Sequence, residues 1–390
     1  MLVRSSAGNP KERLLQIGLG FPAGRTSAVG PREAGFIDDI AGVLAFWRKR
    51  RQPFNSLNVR GARIDRNCAN ARFLRQYREQ IVSGRTLLAI VSMSHEEAQC
   101  IAAELDPPFE IIGAQNQRIP IVFNSPHSGR IYPSVFVESS RLSAQALRKS
   151  EDAYVDELLS TAPAQGAVLM QAHFPRAYID INREPYELDP VLFNGRLPDF
   201  VNSQSLRAIG GLGTIARIVN EKEEIYHGPL TLETAFVRIE RLYKPYHAAL
   251  HELMQSTRAR FGTAFLLDCH SMPSQQADRG GWPDFVLGDR FGASCAPEIT
   301  KLIQGLLRSL GYRVALNKPY AGGYITEHYG KPHQGVHALQ IEVDRSLYMD
   351  EETFEKSSAF SGLLWDMERL IAMLVQELPR WTGGYKVAAE

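Results

Sequence analysis

From about residue 118 the chain alternates short apolar runs with longer stretches of helical periodicity, and this alternation limits the fold more than any other feature. The runs Ile119–Phe123, Ala167–Met170, Ala177–Ile181, Ala264–Cys269, Phe285–Leu287, Tyr312–Leu316 and Ala338–Val343 read as buried strands. Between them the spacing predicts helices over 141–162, 231–260, 293–310 and 352–377. Thr231 is placed to cap the second, with Leu232, Phe236, Ile239, Leu242 and Tyr243 on its buried side. Strands alternating with helices build a three-layer α/β sandwich around a mixed, largely parallel central sheet. No internal repeat or interior linker divides this stretch, so 93–390 is expected to be one domain.

Residues 1–92 have a different texture. They carry 16 Lys and Arg against 6 Asp and Glu, a balance of +10, while the remainder carries −9 and the whole chain +1. Their apolar residues keep no sustained period beyond one short helix over Phe36–Lys49. The basic run Arg48–Arg51 comes without an aromatic platform, so it reads as a solvated extension rather than a nucleic-acid surface. Met93 opens the segment MSHEEA and organised sequence follows, so 1–92 is expected to be an upstream extension outside the functional core. The four cysteines, Cys68, Cys100, Cys269 and Cys295, contain no CxxC pair, which fits a reducing, cytoplasmic setting. No run approaches the roughly 18–20 apolar residues of a membrane span. Neither a membrane nor a nucleic acid is an expected partner; a small molecule is.

In a sheet of this kind ligands bind beyond the carboxyl ends of the strands, so polar residues directly after apolar runs are the first candidates. Three segments qualify: Asn124-Ser125-Pro126-His127-Ser128-Gly129, Asp268-Cys269-His270-Ser271 and Glu342-Val343-Asp344-Arg345. His127 sits in a Pro/Gly turn able to aim one side chain, and His270 closes a second strand. Two imidazoles at strand mouths suit zinc, which in catalytic sites takes a third protein ligand and keeps one position open. The acid pair Glu151-Asp152, in the helical stretch after His127, is the expected source of that ligand, through either member. Glu342 lies on the otherwise apolar run ALQIEV, where a carboxylate is costly unless paired or functional. It is assigned as general base, the plainer reading being an ion pair with Arg345 or another arginine. Asn182 and Arg183 close a further strand and form a fork for an acidic substrate, unless Arg183 pairs with Glu184, Glu187 or Asp189. Arg176 is a candidate to stabilise an oxyanion.

The segments FNSPHSGRIYP, SEDAYVDELL, FPRAYIDINREPYELDP, LLDCHSMPS, DFVLGDRFG, YAGGYITEHYG and ALQIEVDRSLYMDE, in this order, resemble the N-formylglutamate amidohydrolase family over roughly residues 105–375. The resemblance implies an α/β fold similar to zinc carboxypeptidases and aspartoacylases. It implies one divalent metal ion, usually zinc, and hydrolysis of N-formyl-L-glutamate to formate and L-glutamate in histidine breakdown. On this basis His127 and His270 match metal-binding histidines and Asp152 a recurrent acidic position. Asn182-Arg183 resembles a pair that holds a substrate carboxylate, and Glu342 the catalytic glutamate of a late strand. The chain departs from the His-x-x-Glu pair common in carboxypeptidase-like relatives, because Arg130 stands three residues after His127. Residues 1–92 match nothing in the family.

Other chemistries leave weaker traces. The G-x-S-x-G elbow of serine hydrolases is absent. Gly211–Ala216 mimics a dinucleotide fingerprint, but no βαβ unit surrounds it, so it reads as a glycine-rich loop covering the site. His333 and His337 have helical ligand spacing, yet Pro332 and Gly335 speak against a helix, and there is no HExxH. The remaining alternatives are deacylation of another N-acyl amino acid and a non-enzymatic nucleic-acid binder using the basic N-terminus.

Overall fold

The computed structural model describes residues 95–220, 223–275 and 281–378, all within one unit; the extension expected over 1–92 and its Phe36–Lys49 helix lie outside them. The strands are β1 (Phe109–Ile112), β2 (Ile121–Ser125), β3 (Val168–Ala172), β4 (Ile218–Asn220), β5 (Glu223–Glu224), β6 (Ala264–Met272), β7 (Phe285–Gly288), β8 (Val314–Leu316) and β9 (Val336–Asp344). β4 and β5 form a small separate pair, and the other seven make one sheet in the order β1-β3-β2-β6-β9-β7-β8. Within the seven-stranded sheet β1 against β3 and β7 against β9 run antiparallel and the other pairings are parallel. The sheet is therefore mixed and largely parallel, as the alternating pattern implies.

Every residue of β2, β6 and β9 is buried, because helices cover both faces. The principal helices are α1 (Leu232–Arg238), α2 (Lys244–Phe261), α3 (Pro297–Ser309), α4 (Tyr324–Tyr329) and α5 (Phe360–Glu377). One core layer joins Val122, Leu266 and Ala338 to Leu232, Tyr246 and Leu250 of α1 and α2. The other joins Phe123, Phe265, Leu267 and Leu339 to Ile303 and Leu307 of α3 and Leu370 of α5. Adjacent residues of one strand thus serve opposite layers, following the period of two. Each fully buried Leu or Ile contributes roughly 1.5–3 kcal/mol of transfer free energy to this three-layer sandwich.

Several expectations need correction. Ala177–Ile181 is not a strand. Its apolar side chains are buried, but the backbone turns, with Tyr178 N donating to Pro175 O and Asp180 N to Thr214 O. The predicted helix over 141–162 is broken into Ala144–Leu147, a 3-10 turn Arg148–Ser150 and Val155–Leu158. Tyr154 takes a positive φ of 66° between the last two pieces, and Asp152 N donates to His127 O, so Glu151 and Asp152 stand on a loop. The helix predicted over 231–260 forms, with Thr231 accepting a hydrogen bond from Thr234 N as its cap. A π-turn over Ile239–Tyr243 interrupts it just before Pro245, which has no N–H for the usual i−4 bond, and Lys244 N donates instead to Ile239 O. β6 runs three residues beyond the predicted strand, which places His270 inside it. α3 and α5 start later than predicted, and the edge strand β1 was not expected at all.

Candidate metal centre

The carboxyl-terminal half of one sheet face is polar where the other half is apolar. Asn124 pairs in register with Asp268 across β2 and β6, and His270 with Glu342 across β6 and β9. By the period of two, Asp268, His270, Gln340 and Glu342 share the face whose earlier positions, Leu266 and Ala338, feed the core. His127 comes onto this face from the turn after β2. That turn passes so close to Phe174 that a Cβ on Gly129 would lie 2.1 Å from Phe174 O, so only glycine fits. The ring centroids of His127 and His270 end 4.9 Å apart.

Among the described residues His127, Asp152 and His270 form a group whose ligand-capable atoms all lie within 4.8 Å of one another. Asp152 Oδ2 is 3.5 Å from His127 Nδ1 and 3.0 Å from His270 Nδ1. Zinc bonds of roughly 2.0–2.2 Å at tetrahedral angles put neighbouring donors roughly 3.3 Å apart, and the two measured edges bracket that value. Both rings are held from behind by a carboxylate. His127 Nε2 bonds Asp180 Oδ1 at 2.9 Å, and His270 Nε2 bonds Asp268 Oδ2 at 3.0 Å. With Nε2 donating to its carboxylate, each Nδ1 faces inward, and on metal binding it would give up any proton and offer its lone pair, the tautomer coordination requires. His127 Nδ1 is buried and has no hydrogen-bond partner, an expensive condition that a bound cation relieves. The donor set therefore fits a divalent ion of the zinc type.

The electrostatics favour positive charge at this point. Burial alone would raise the Asp152 carboxyl, yet the facing His127 and His270 rings hold it well below the usual range. Asp180 is likewise held low against its burial, by Arg176, Arg183 and His127. His270 is pushed up despite burial, because Asp268 and Asp152 flank it. Asp268 is fixed in turn by Asn124 Nδ2 (2.8 Å), whose amide oxygen accepts from Tyr246 of α2.

Glu342 stands beside this cluster, 7% exposed. It accepts a hydrogen bond from Gln340 Nε2 (2.6 Å) and makes no ion pair among the described residues. Burial pushes its carboxyl up to about 7, with His270 and Arg176 pulling against it. Arg345, which the plainer reading of Glu342 offered as its ion-pair partner, pairs instead with Asp152. Glu151 is drawn away from the cluster to Arg148 and Tyr132.

The Asn182-Arg183 fork is less open than the sequence suggests. Asn182 Oδ1 accepts from Ile325 N at the start of α4, and its amide lies so close to Gly323 that a Cβ there would meet Oδ1 at 2.4 Å. Arg183 donates Nε to Leu212 O and Nη1 to Asn182 O, with Nη2 3.6 Å from Asp180; burial brings its pKa down to about 10. None of the acids Glu184, Glu187 and Asp189 is its partner. Arg176 bonds Asp180 through Nε alone and is more accessible. The glycine-rich loop 211–216 supports Arg183 through Leu212 O and the Asp180 backbone through Thr214 O. His333 is exposed, and His337 lies at the opposite end of β9, stacked on Phe265 and accepting from Ala296 N; neither belongs to the cluster. The holding roles of Asp180 and Asp268 are not assigned by the sequence. For Asp268, its place two residues before His270 on one strand face is a usable signal; for Asp180 there is no local one.

A family model described as N-formylglutamate amidohydrolase matches residues 119–349. The N-formylglutamate deformylase of Pseudomonas aeruginosa is 30% identical over 252 residues, covering 62% of this chain and 87% of that protein. The Pseudomonas putida deformylase is 29% identical over 277 residues, covering 70% and 97%. The crystal structure of the N-formylglutamate amidohydrolase from Ralstonia eutropha superposes with a TM-score of 0.66 at 36% identity, covering 70% of this chain and 99% of that one.

Proposed function

The chain belongs to the N-formylglutamate amidohydrolase family, and from that premise we propose that it hydrolyses N-formyl-L-glutamate to formate and L-glutamate with one zinc ion held by His127, Asp152 and His270. The observation that carries this reading is the inward Nδ1 of His127, buried without a partner, facing the Oδ2 that His270 Nδ1 also approaches. When bound, such an ion supplies a Lewis acid and brings a water's pKa down to about 7.

The chain's own residues do the rest. Glu342, next to His270 in the sheet and raised by burial, accepts the proton of the attacking water. It then returns that proton to the amide nitrogen as the C–N bond breaks, releasing formate and the free amine. Arg176, with one edge on Asp180, presents its other edge to the developing oxyanion. A formyl group offers almost no binding surface, so selectivity falls on the two carboxylates of the glutamate moiety. Asn182 and the Nη2 edge of Arg183 are the groups we assign to one of them. In this reading the reaction is a step of histidine breakdown.

Side-by-side rates on N-formyl-L-glutamate and N-acetyl-L-aspartate test the substrate. A clear preference in kcat/KM for the formyl compound is expected; preference for the acetyl compound would move the chain to deacylation of other N-acyl amino acids.

A further inference from the structure

We propose that Arg345, acting with Ser271, is a positioning residue that occupies one oxygen of Asp152 and so restricts that carboxylate to a single donor for the metal. The inference rests on the ligand set proposed above and adds to it the reason one coordination position stays open.

The two oxygens of Asp152 have different partners. Oδ1 accepts from Arg345 Nη2 at 3.2 Å and from Ser271 Oγ at 3.3 Å. Oδ2 faces the two imidazole nitrogens. Arg345 also donates Nε to Ser271 Oγ (3.0 Å) and Nη1 to Lys149 O (3.0 Å), so three sides of the guanidinium are spent inside the protein. At 5% exposure it is not placed to reach solvent. A carboxylate with both oxygens free can grip an ion through both and close off its remaining position. With Oδ1 held, Asp152 gives one donor, and three protein ligands leave room for water.

The clamp is rigid because its base is rigid. Arg345 opens the 3-10 turn that ends β9, and Asp344 caps this turn by accepting from Ser346 N and Ser346 Oγ. It lies three residues after Glu342, so the proposed base and the clamp leave one strand end together. The planar fork of arginine reaches Ser271, Asp152 and Lys149 O at once, which the point charge of lysine cannot do.

The test measures zinc affinity of the full chain by competition with a chromophoric chelator, for wild type, Arg345→Met, Arg345→Lys and Ser271→Ala. Melting temperature is recorded beside it, and kcat and KM are taken on N-formyl-L-glutamate with saturating zinc. Arg345→Met frees Asp152 Oδ1 to meet the ion and is expected to shift zinc affinity by about 10–100-fold, the size of effect an outer-shell partner has, with Arg345→Lys intermediate and Ser271→Ala smaller. The zinc-saturated variants are expected to lose kcat with KM little changed, whereas a residue that only braces the fold would move the melting temperature alone. Zinc affinity within about twofold of wild type in Arg345→Met overturns the proposal. If that variant does not fold, unchanged affinity in both Arg345→Lys and Ser271→Ala overturns it instead. A wild-type chain that binds no zinc defeats the ligand set itself and takes the clamp with it.

Discussion

Burial pushes the Glu342 carboxyl up to about 7, and the deprotonated form is the one that accepts a proton. Activity should therefore fall by about tenfold per pH unit on the acid side, where Glu342 is protonated. A cation in the cluster opposes the effect of burial and draws this limb to lower pH. A kcat/KM profile flat from about pH 8 to about pH 5 would exclude the role. Glu342→Gln keeps shape and hydrogen bonding but cannot take the proton; turnover should drop by about 10²–10⁴-fold with zinc content unchanged. Arg183→Ala should raise KM for N-formyl-L-glutamate by about 10–100-fold, about 1.4–2.8 kcal/mol, and an unaltered KM would remove Arg183 from the substrate's contacts. His127, His270 and Glu342 are legible in the sequence because each is a polar residue on or directly after an apolar run. Arg345 is legible as a charge but not as a contact: its partner Asp152 lies 193 positions away, and no local pattern encodes that pairing.

The helix–strand alternation is readable because β2, β6 and β9 are buried on both faces and must be apolar except where they carry the site. The same logic misreads Ala177–Ile181, whose apolar residues are buried in a turn rather than a ladder. Local periodicity also carries 141–162 through as one helix. The break at Asp152 depends on the backbone bond to His127 O and on a left-handed Tyr154, which are tertiary. The π-turn before Pro245 has a structural consequence for the site. It includes Tyr243 and precedes Tyr246 and His247, whose side chains reach Arg183 O, Asn124 and Ile181 O in turn. Thr231→Ala at the start of α1 should cost about 1 kcal/mol in urea unfolding while KM stays unchanged. An unaltered midpoint would show that the cap is not stabilising.

At the scale of the whole molecule, the family match falls on the sandwich. The family match covers 119–349, and the Ralstonia eutropha structure is covered almost completely by 70% of this chain. We propose that 93–390 is the catalytic unit, so that deleting 1–92 leaves kcat/KM intact; a collapse of activity would assign those residues to the enzyme. Among the described residues no helix is long and apolar enough to cross a membrane. The folded cluster concentrates four buried carboxylates, Asp152, Asp180, Asp268 and Glu342, around two imidazoles, so ion binding should also stabilise the fold and chelation should lower its melting temperature. The most direct measurement follows formate release from N-formyl-L-glutamate on the same preparation as isolated, after exhaustive chelation and after adding zinc back, with metal content read at each stage. Activity should track occupancy up to about one ion per chain and vanish in His127→Ala at every zinc level. Undiminished formate release from the stripped protein would contradict the metal centre.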